Sequence, residues 1–157
     1  MRVVLDTSSL IYLNDFRGFD EIFTVNSVIR EVKDKVTLLK LASLRLKIIE
    51  PKSETIKEIE NTARETMDFE KLSRTDIEVL ASAKENNCTI ISDDRNIQNV
   101  AEKLGIGYVS IFNKKITKLI TWKKYCNSCK KYFAEGKDCS ICGEKLSRVP
   151  EASIEIK

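Results

Sequence analysis

Met1-Arg2-Val3-Val4-Leu5-Asp6-Thr7-Ser8-Ser9-Leu10 is the stretch on which the fold turns. Three aliphatic residues read as a short buried strand, and a carboxylate, Asp6, closes it. Thr7 and Ser8 can cap a short helix running through Leu13. The same pattern returns at Cys88-Thr89-Ile90-Ile91-Ser92, which ends at Asp93-Asp94 ahead of a helix over 95–104 that stops at Gly105. Glu21 to Val25, Lys47 to Glu50 and Tyr108 to Ile111 read as further short strands. Between them lie helical stretches: one opening at Asn26 or Ser27 with Val28, Ile29, Val32 and Val36, another over 53–67, and a third opening at Ser73. Helices alternating with short aliphatic strands predict an α/β fold whose parallel sheet is covered on both faces.

Beyond Asn113 the pattern changes, and Ile116, Lys118, Ile120, Trp122, Lys124 and Cys126 mark an extended ribbon. Cys126, Cys129, Cys139 and Cys142 fall as C-x₂-C, nine residues, then C-x₂-C. Two residues between cysteines let a tight turn point both thiolates at one tetrahedral ion, and two such turns predict a closed structural zinc site. A rubredoxin-like iron centre uses the same four sulfurs. We place an α/β domain at 1–115, a metal-stapled ribbon at 116–150 and a tail at 151–157. A module of this size cannot bury enough surface alone, so its fold should depend on the metal.

The chain has 157 residues, 42% hydrophobic and 32% charged, with apolar runs far too short to span a bilayer. No secretory signal is read at Met1-Arg2, and paired reduced cysteines fit the cytoplasm. Histidine is absent, so no Ser-His or Cys-His pair and no imidazole ligand can exist. Chemistry falls to carboxylates, lysines, hydroxyls or metal ions. Net charge is +3 but uneven: residues 112–148 hold ten Lys/Arg against three Asp/Glu, whereas residues 1–111 hold sixteen against nineteen. A basic module beside an acidic domain points to a polyanionic partner.

In a parallel sheet the active crevice lies at the carboxyl ends of the strands. Asp6 and Asp93 end two strands there, Asp76 lies in the first turn of the helix opening at Ser73, and Glu31 follows the second strand. Acids gathered in one place repel one another unless cations fill the gap. Oxygen-only ligands suit magnesium or manganese, one or two ions, which can activate water and neutralise a phosphodiester. Each acid also has a plainer reading. Asp76 can be half of a capping box with Ser73, Asp94 can cap the helix after it, and Glu31 can pair with Lys35.

These residues resemble a known family. Val3-Val-Leu-Asp6-Thr-Ser-Ser-Leu10, Val25-Asn-Ser-Val-Ile-Arg-Glu31-Val32, Leu72-Ser-Arg-Thr-Asp76-Ile-Glu-Val-Leu-Ala81 and Ile91-Ser-Asp93-Asp94 followed by Asn96 and Ala101 resemble the four acidic motifs of PIN ribonucleases. With the four-cysteine ribbon behind them, the whole chain resembles the Nin-one-binding family in its compact archaeal form. The resemblance implies a single-strand endoribonuclease that matures the 3′ end of small-subunit ribosomal RNA within the pre-ribosomal small subunit. It implies magnesium or manganese at Asp6, Glu31, Asp76 and Asp93, with Asp94 at a more variable position and Thr7 or Ser8 orienting water or substrate. Two rival readings remain: a toxin-type PIN ribonuclease acting on tRNA, and a non-catalytic RNA-binding assembly factor. On the ribbon, Lys114, Lys115, Lys118, Lys123, Lys124, Lys130 and Lys131 supply phosphate affinity. Trp122, Tyr125 and Tyr132 among them can stack on unpaired bases, although a small ribbon also needs aromatics for its own core.

Overall fold

The computed structural model of the chain describes residues 1–112 and 115–156. Its first sheet has five parallel strands: β1 (Arg2–Leu5), β2 (Glu21–Val25), β3 (Leu46–Ile49), β4 (Thr89–Ile91) and β5 (Tyr108–Val109). Their order is β3-β2-β1-β4-β5. The chain therefore steps outward from β1 to β3, then returns to lay β4 on the other side of β1. That reversal opens a crevice beyond the carboxyl ends of β1 and β4. Val3, Val4, Leu5, Ile90 and Ile91 are buried, as central parallel strands covered on both faces require.

The flanking helices are α1 (Thr7–Tyr12), α2 (Asn26–Glu31), α3 (Lys35–Ser43), α4 (Ser53–Glu65), α5 (Arg74–Asn86) and α6 (Arg95–Leu104). Helix α5 packs on β1, β2 and β4 and buries Ile77, Val79, Leu80, Ala81 and Ala83. A fully buried leucine such as Leu80 contributes about 1.5–3 kcal/mol. α5 ends at Asn87 and α6 at Gly105, both left-handed, which closes the last carbonyls of each helix.

Three expectations are corrected. The single helix expected from Asn26 through Val36 is two, because the Asp34 side chain accepts from the Thr37 amide and starts α3 afresh. Glu31 consequently does not pair with Lys35; its oxygens bond to Thr7 and Thr75. The segment read as a tail is strand through Glu155.

The second sheet is antiparallel, with β6 (Lys118–Cys126) between β7 (Lys131–Phe133) and β8 (Ser147–Glu155). It is held to the α/β domain by polar residues of α6. The Gln98 carbonyl accepts the Ile116 amide at 3.1 Å, and the Asn99 side chain both accepts from and donates to the backbone of Ile120, at 2.8 and 2.7 Å. Asn99 also donates to buried Asp68 at 2.6 Å, and Arg148 of β8 pairs with the same carboxylate at 2.9 Å. Burial drives the Asp68 pKa upward, and hydrogen bonds from Asn99, Thr66 and Arg148 pull against it. No helix of the described residues is long and apolar enough to cross a membrane.

Candidate active site

Asp6, Asp76 and Asp94 are each placed by a helix start, and the local sequence explains why. Asp6 leaves β1 and caps α1, its Oδ1 accepting the Ser9 amide at 2.6 Å and the Ser8 hydroxyl at 3.0 Å. The cap is Asp6 itself rather than Thr7 or Ser8. Asp76 forms the expected capping box: its Oδ2 accepts from the Ser73 amide at 2.7 Å and the Ser73 hydroxyl at 2.8 Å. Asp94 caps α6, its Oδ1 accepting the Asn96 amide at 2.6 Å and the Asn96 side-chain amide at 2.9 Å. A capping carboxylate has its charge stabilised by the helix amides, so the local fold and the acid cluster share the same residues.

These acids feel one another. The Asp76 pKa is raised, first by burial and then by the neighbouring charges of Asp94 and Asp6, against the pull of Ser73. Glu31 closes the group from α2. Its Oε2 accepts from Thr7 and its Oε1 from Thr75, which stands directly before Asp76 and is buried. The hydroxyls of Thr7 and Ser8 thus bond to acids of the cluster. Asp93 accepts from the Ser110 hydroxyl and from the amides of Ile111 and Phe112, both at 3.1 Å, tying the end of β4 to the segment after β5. Asp94, the next residue, bears on Asp76 electrostatically.

Thr75, Asn96 and Ser110 hold these acids and escaped the sequence reading. Thr75 had a readable signal, a hydroxyl at the first buried position of a helix beside an acid. Asn96 stood in the fourth acidic motif, two residues from the Asp94 it bonds, whereas Ser110 had no signal, because its role depends on β4 and β5 lying side by side.

Among the described residues, only the four ribbon cysteines have ligand atoms gathered closely enough to share one ion. Asp6, Asp76 and Asp94 are near enough to act on one another through charge, and oxygen-only donors of that kind suit a hard divalent cation. In the ribbon, the four cysteine sulfurs lie within 4.8 Å of one another. Cys126 and Cys142 approach to 3.5 Å, and Cys139 and Cys129 to 3.8 Å. A tetrahedron with metal–sulfur bonds of about 2.3 Å has edges of about 3.8 Å, so the cluster fits such an ion. The amides of Cys129 and Ile141 point at the sulfurs of Cys126 and Cys139, at 3.3 and 3.4 Å. Gly143, with φ +75°, supplies the left-handed turn after the last cysteine.

Of the ribbon residues expected to meet RNA, Lys114 lies outside the described residues. Lys115, Lys130 and Lys131 are exposed. Lys118 and Lys123 pair with Glu155 and Glu151 at the rim. Lys124 is a correction: it is buried and paired with Glu70 of the α/β domain, so it is spent on the joint. Tyr125 and Tyr132 pack together at 5.0 Å between ring centres, and Trp122 lies under the Arg148 guanidinium at 4.3 Å.

A crevice of carboxylates at the switch point of a parallel sheet is the arrangement of a PIN-type nuclease, and the family described as the PIN domain of ribonuclease matches residues 3–85. The chain is 36% identical to endoribonuclease Nob1 of Pyrococcus abyssi, over 96% of this chain and 94% of that one. It is 35% identical to endoribonuclease Nob1 of Methanothermobacter thermautotrophicus, over 94% of this chain and 92% of that one. Against ribonuclease VapC1 of Thermoplasma acidophilum it is 37% identical, over 94% and 78% of the two chains. The chain belongs to the Nob1 family of PIN-domain endoribonucleases.

Proposed function

We propose that this endoribonuclease requires magnesium or manganese and cuts single-stranded RNA at the 3′ end of the small-subunit ribosomal RNA precursor. It would leave a 5′-phosphate and a 3′-hydroxyl, and work in the cytoplasm on the pre-ribosomal small subunit. The substrate rests on the kinship with proteins named endoribonuclease Nob1. The chemistry rests above all on one arrangement: Asp6, Asp76 and Asp94 stand at the starts of α1, α5 and α6, where the charges of Asp94 and Asp6 add to burial in raising the Asp76 pKa. Such crowding is relieved by a cation, which when bound neutralises the scissile phosphate and makes water a better nucleophile.

We assign Asp6, Asp76, Asp94 and Glu31 to holding the ions. Thr7 and Thr75 fix the rotamer of Glu31, and Asp93, at the same strand end, holds the 110–112 segment against the crevice. We assign zinc to the four cysteines, as four sulfurs at tetrahedral spacing on a histidine-free chain favour it. The toxin-type reading keeps tRNA in view as a rival substrate, and the chain also resembles a protein named ribonuclease VapC1.

Incubation with a short RNA spanning a small-subunit 3′ junction tests the reading, with tRNA as competitor. Cleavage in manganese should vanish on chelation and in Asp76→Asn and Asp94→Asn. Asp93→Asn, which keeps an acceptor for the 110–112 amides, should retain more activity than Asp94→Asn. Wild-type cutting by Asp94→Asn refutes the assignment of ligands, and a preference for tRNA refutes the assignment of substrate.

A further inference from the structure

Where α6 meets the ribbon, the protein leaves a groove of about 630 Å³. That volume lies within the range of sites that take a nucleotide-sized ligand, roughly 300–1,000 Å³. Arg95, Lys115, Lys118 and Arg148 line it together with Asn96 and Trp122. The one acid in its wall, Asp68, is already neutralised by Arg148. The other cations are loosely held. Arg95 makes no ion pair or side-chain hydrogen bond among the described residues, Lys115 lies over the Tyr108 ring at 5.4 Å, and the Lys118–Glu155 pair is open to solvent. Exposed pairs of that kind are worth little and exchange readily for a phosphate.

The groove abuts the acid cluster. Asn96 donates to Asp94 at 2.9 Å on one side and accepts from Arg148 at 3.1 Å on the other. Arg95, which lines the groove, directly follows Asp94 in the chain. In the groove, the guanidinium of Arg148 already lies over Trp122, an arrangement that a base can extend, because bases stack on indole and guanidinium planes alike.

We propose that this groove is a subsite for single-stranded RNA, in which an unpaired base extends the Trp122–Arg148 stack while Arg95, Lys115 and Lys118 take the neighbouring phosphates. The subsite rests on the endoribonuclease reading and adds to it the path of the strand: between the two domains, past Asn96, to Asp94. Its chemistry is sequence-tolerant, since every base offers a flat face and every phosphate the same charge.

Trp122 is the only tryptophan in the chain, so its fluorescence reports on the groove alone. The full chain with its ribbon metal, free of magnesium and manganese, is titrated at low salt with a five-nucleotide oligouridylate carrying a terminal dye. Anisotropy of the dye gives binding, and emission near the indole maximum gives location. The expected result is quenching of Trp122 that saturates with the anisotropy. Arg95→Ala and Lys115→Ala, both surface changes, should each weaken binding at least threefold and lower the salt slope by roughly one. Binding that leaves Trp122 emission unchanged and ignores both substitutions overturns the subsite, as does no binding at all. Cleavage of longer RNA in manganese is scored on the same preparations. Cleavage without quenching refutes the groove and spares the nuclease, whereas quenching without cleavage does the reverse.

Discussion

Glu31 shows how much of the crevice depends on residues that would never coordinate anything. It is exposed at the end of a six-residue helix, and among the described residues its carboxylate accepts from the hydroxyls of Thr7 and Thr75. Thr75→Val retains the volume but removes one of those bonds. Loss of an outer partner of a metal ligand typically costs 10–100-fold, and we expect a fall of that size in turnover in manganese. Stability should change by less than about 1.5 kcal/mol, as for one hydrogen bond, so melting and turnover measured together separate the two effects. A wild-type rate would show that Glu31 needs no such restraint. That Asp6 and Asp93 stand at strand ends was legible in the sequence, because each follows an aliphatic run. Which of the adjacent pair Asp93 and Asp94 to propose as the ligand is not a choice the sequence makes. That choice depends on the amides of Ile111 and Phe112 arriving beside Asp93, and they belong to the next strand crossing.

At the scale of elements, the strands announced themselves and the breaks between helices did not. Apolar residues continue from Val28 to Leu46 with helical spacing, which hid the fresh start that Asp34 makes at α3. β8 was missed past Pro150 because its residues are polar and paired on one edge only, with β6. The ribbon's own core is correspondingly thin: Cys126, Cys139 and Leu146 are buried, with Phe133 and Cys129 packed against them. Sulfur atoms make up much of it, and in the absence of a metal they gain little from one another. Stripping the ion with a strong chelator should therefore release amide-exchange protection through the knuckles, 126–146, while β1, β4 and α5 keep theirs. Hydrogen exchange resolved by peptide checks this, and persistent protection of the knuckles would mean that the ribbon folds without metal.

Across the whole molecule, the decisive contact joins residues 80 apart in sequence, Asp68 and Arg148, and nothing in either neighbourhood forecasts it. Asp68 has no exposed surface, and Arg148 also donates to the Met67 carbonyl at 3.0 Å. Removing one member leaves the other buried and uncompensated, which typically costs 3–5 kcal/mol. Arg148→Leu should lose about that much in a denaturant midpoint analysis, and adding Asp68→Leu should recover part of it. Additive losses would show that the two side chains do not depend on each other. Asn99, too, serves the whole molecule rather than its own helix: it stands in for a second partner strand at Ile120, on the edge of β6 away from β8.

That side-chain substitute for a strand has a mechanical consequence. The first residues of the ribbon hang from α6 by their own peptide groups, and the capping carboxylate of the same helix is one we propose for the cutting centre. One rigid rod thus carries both the grip and the blade. A transcript seated along it would be measured as by a calliper, and one extra nucleotide between the two points would shift the cut by one nucleotide.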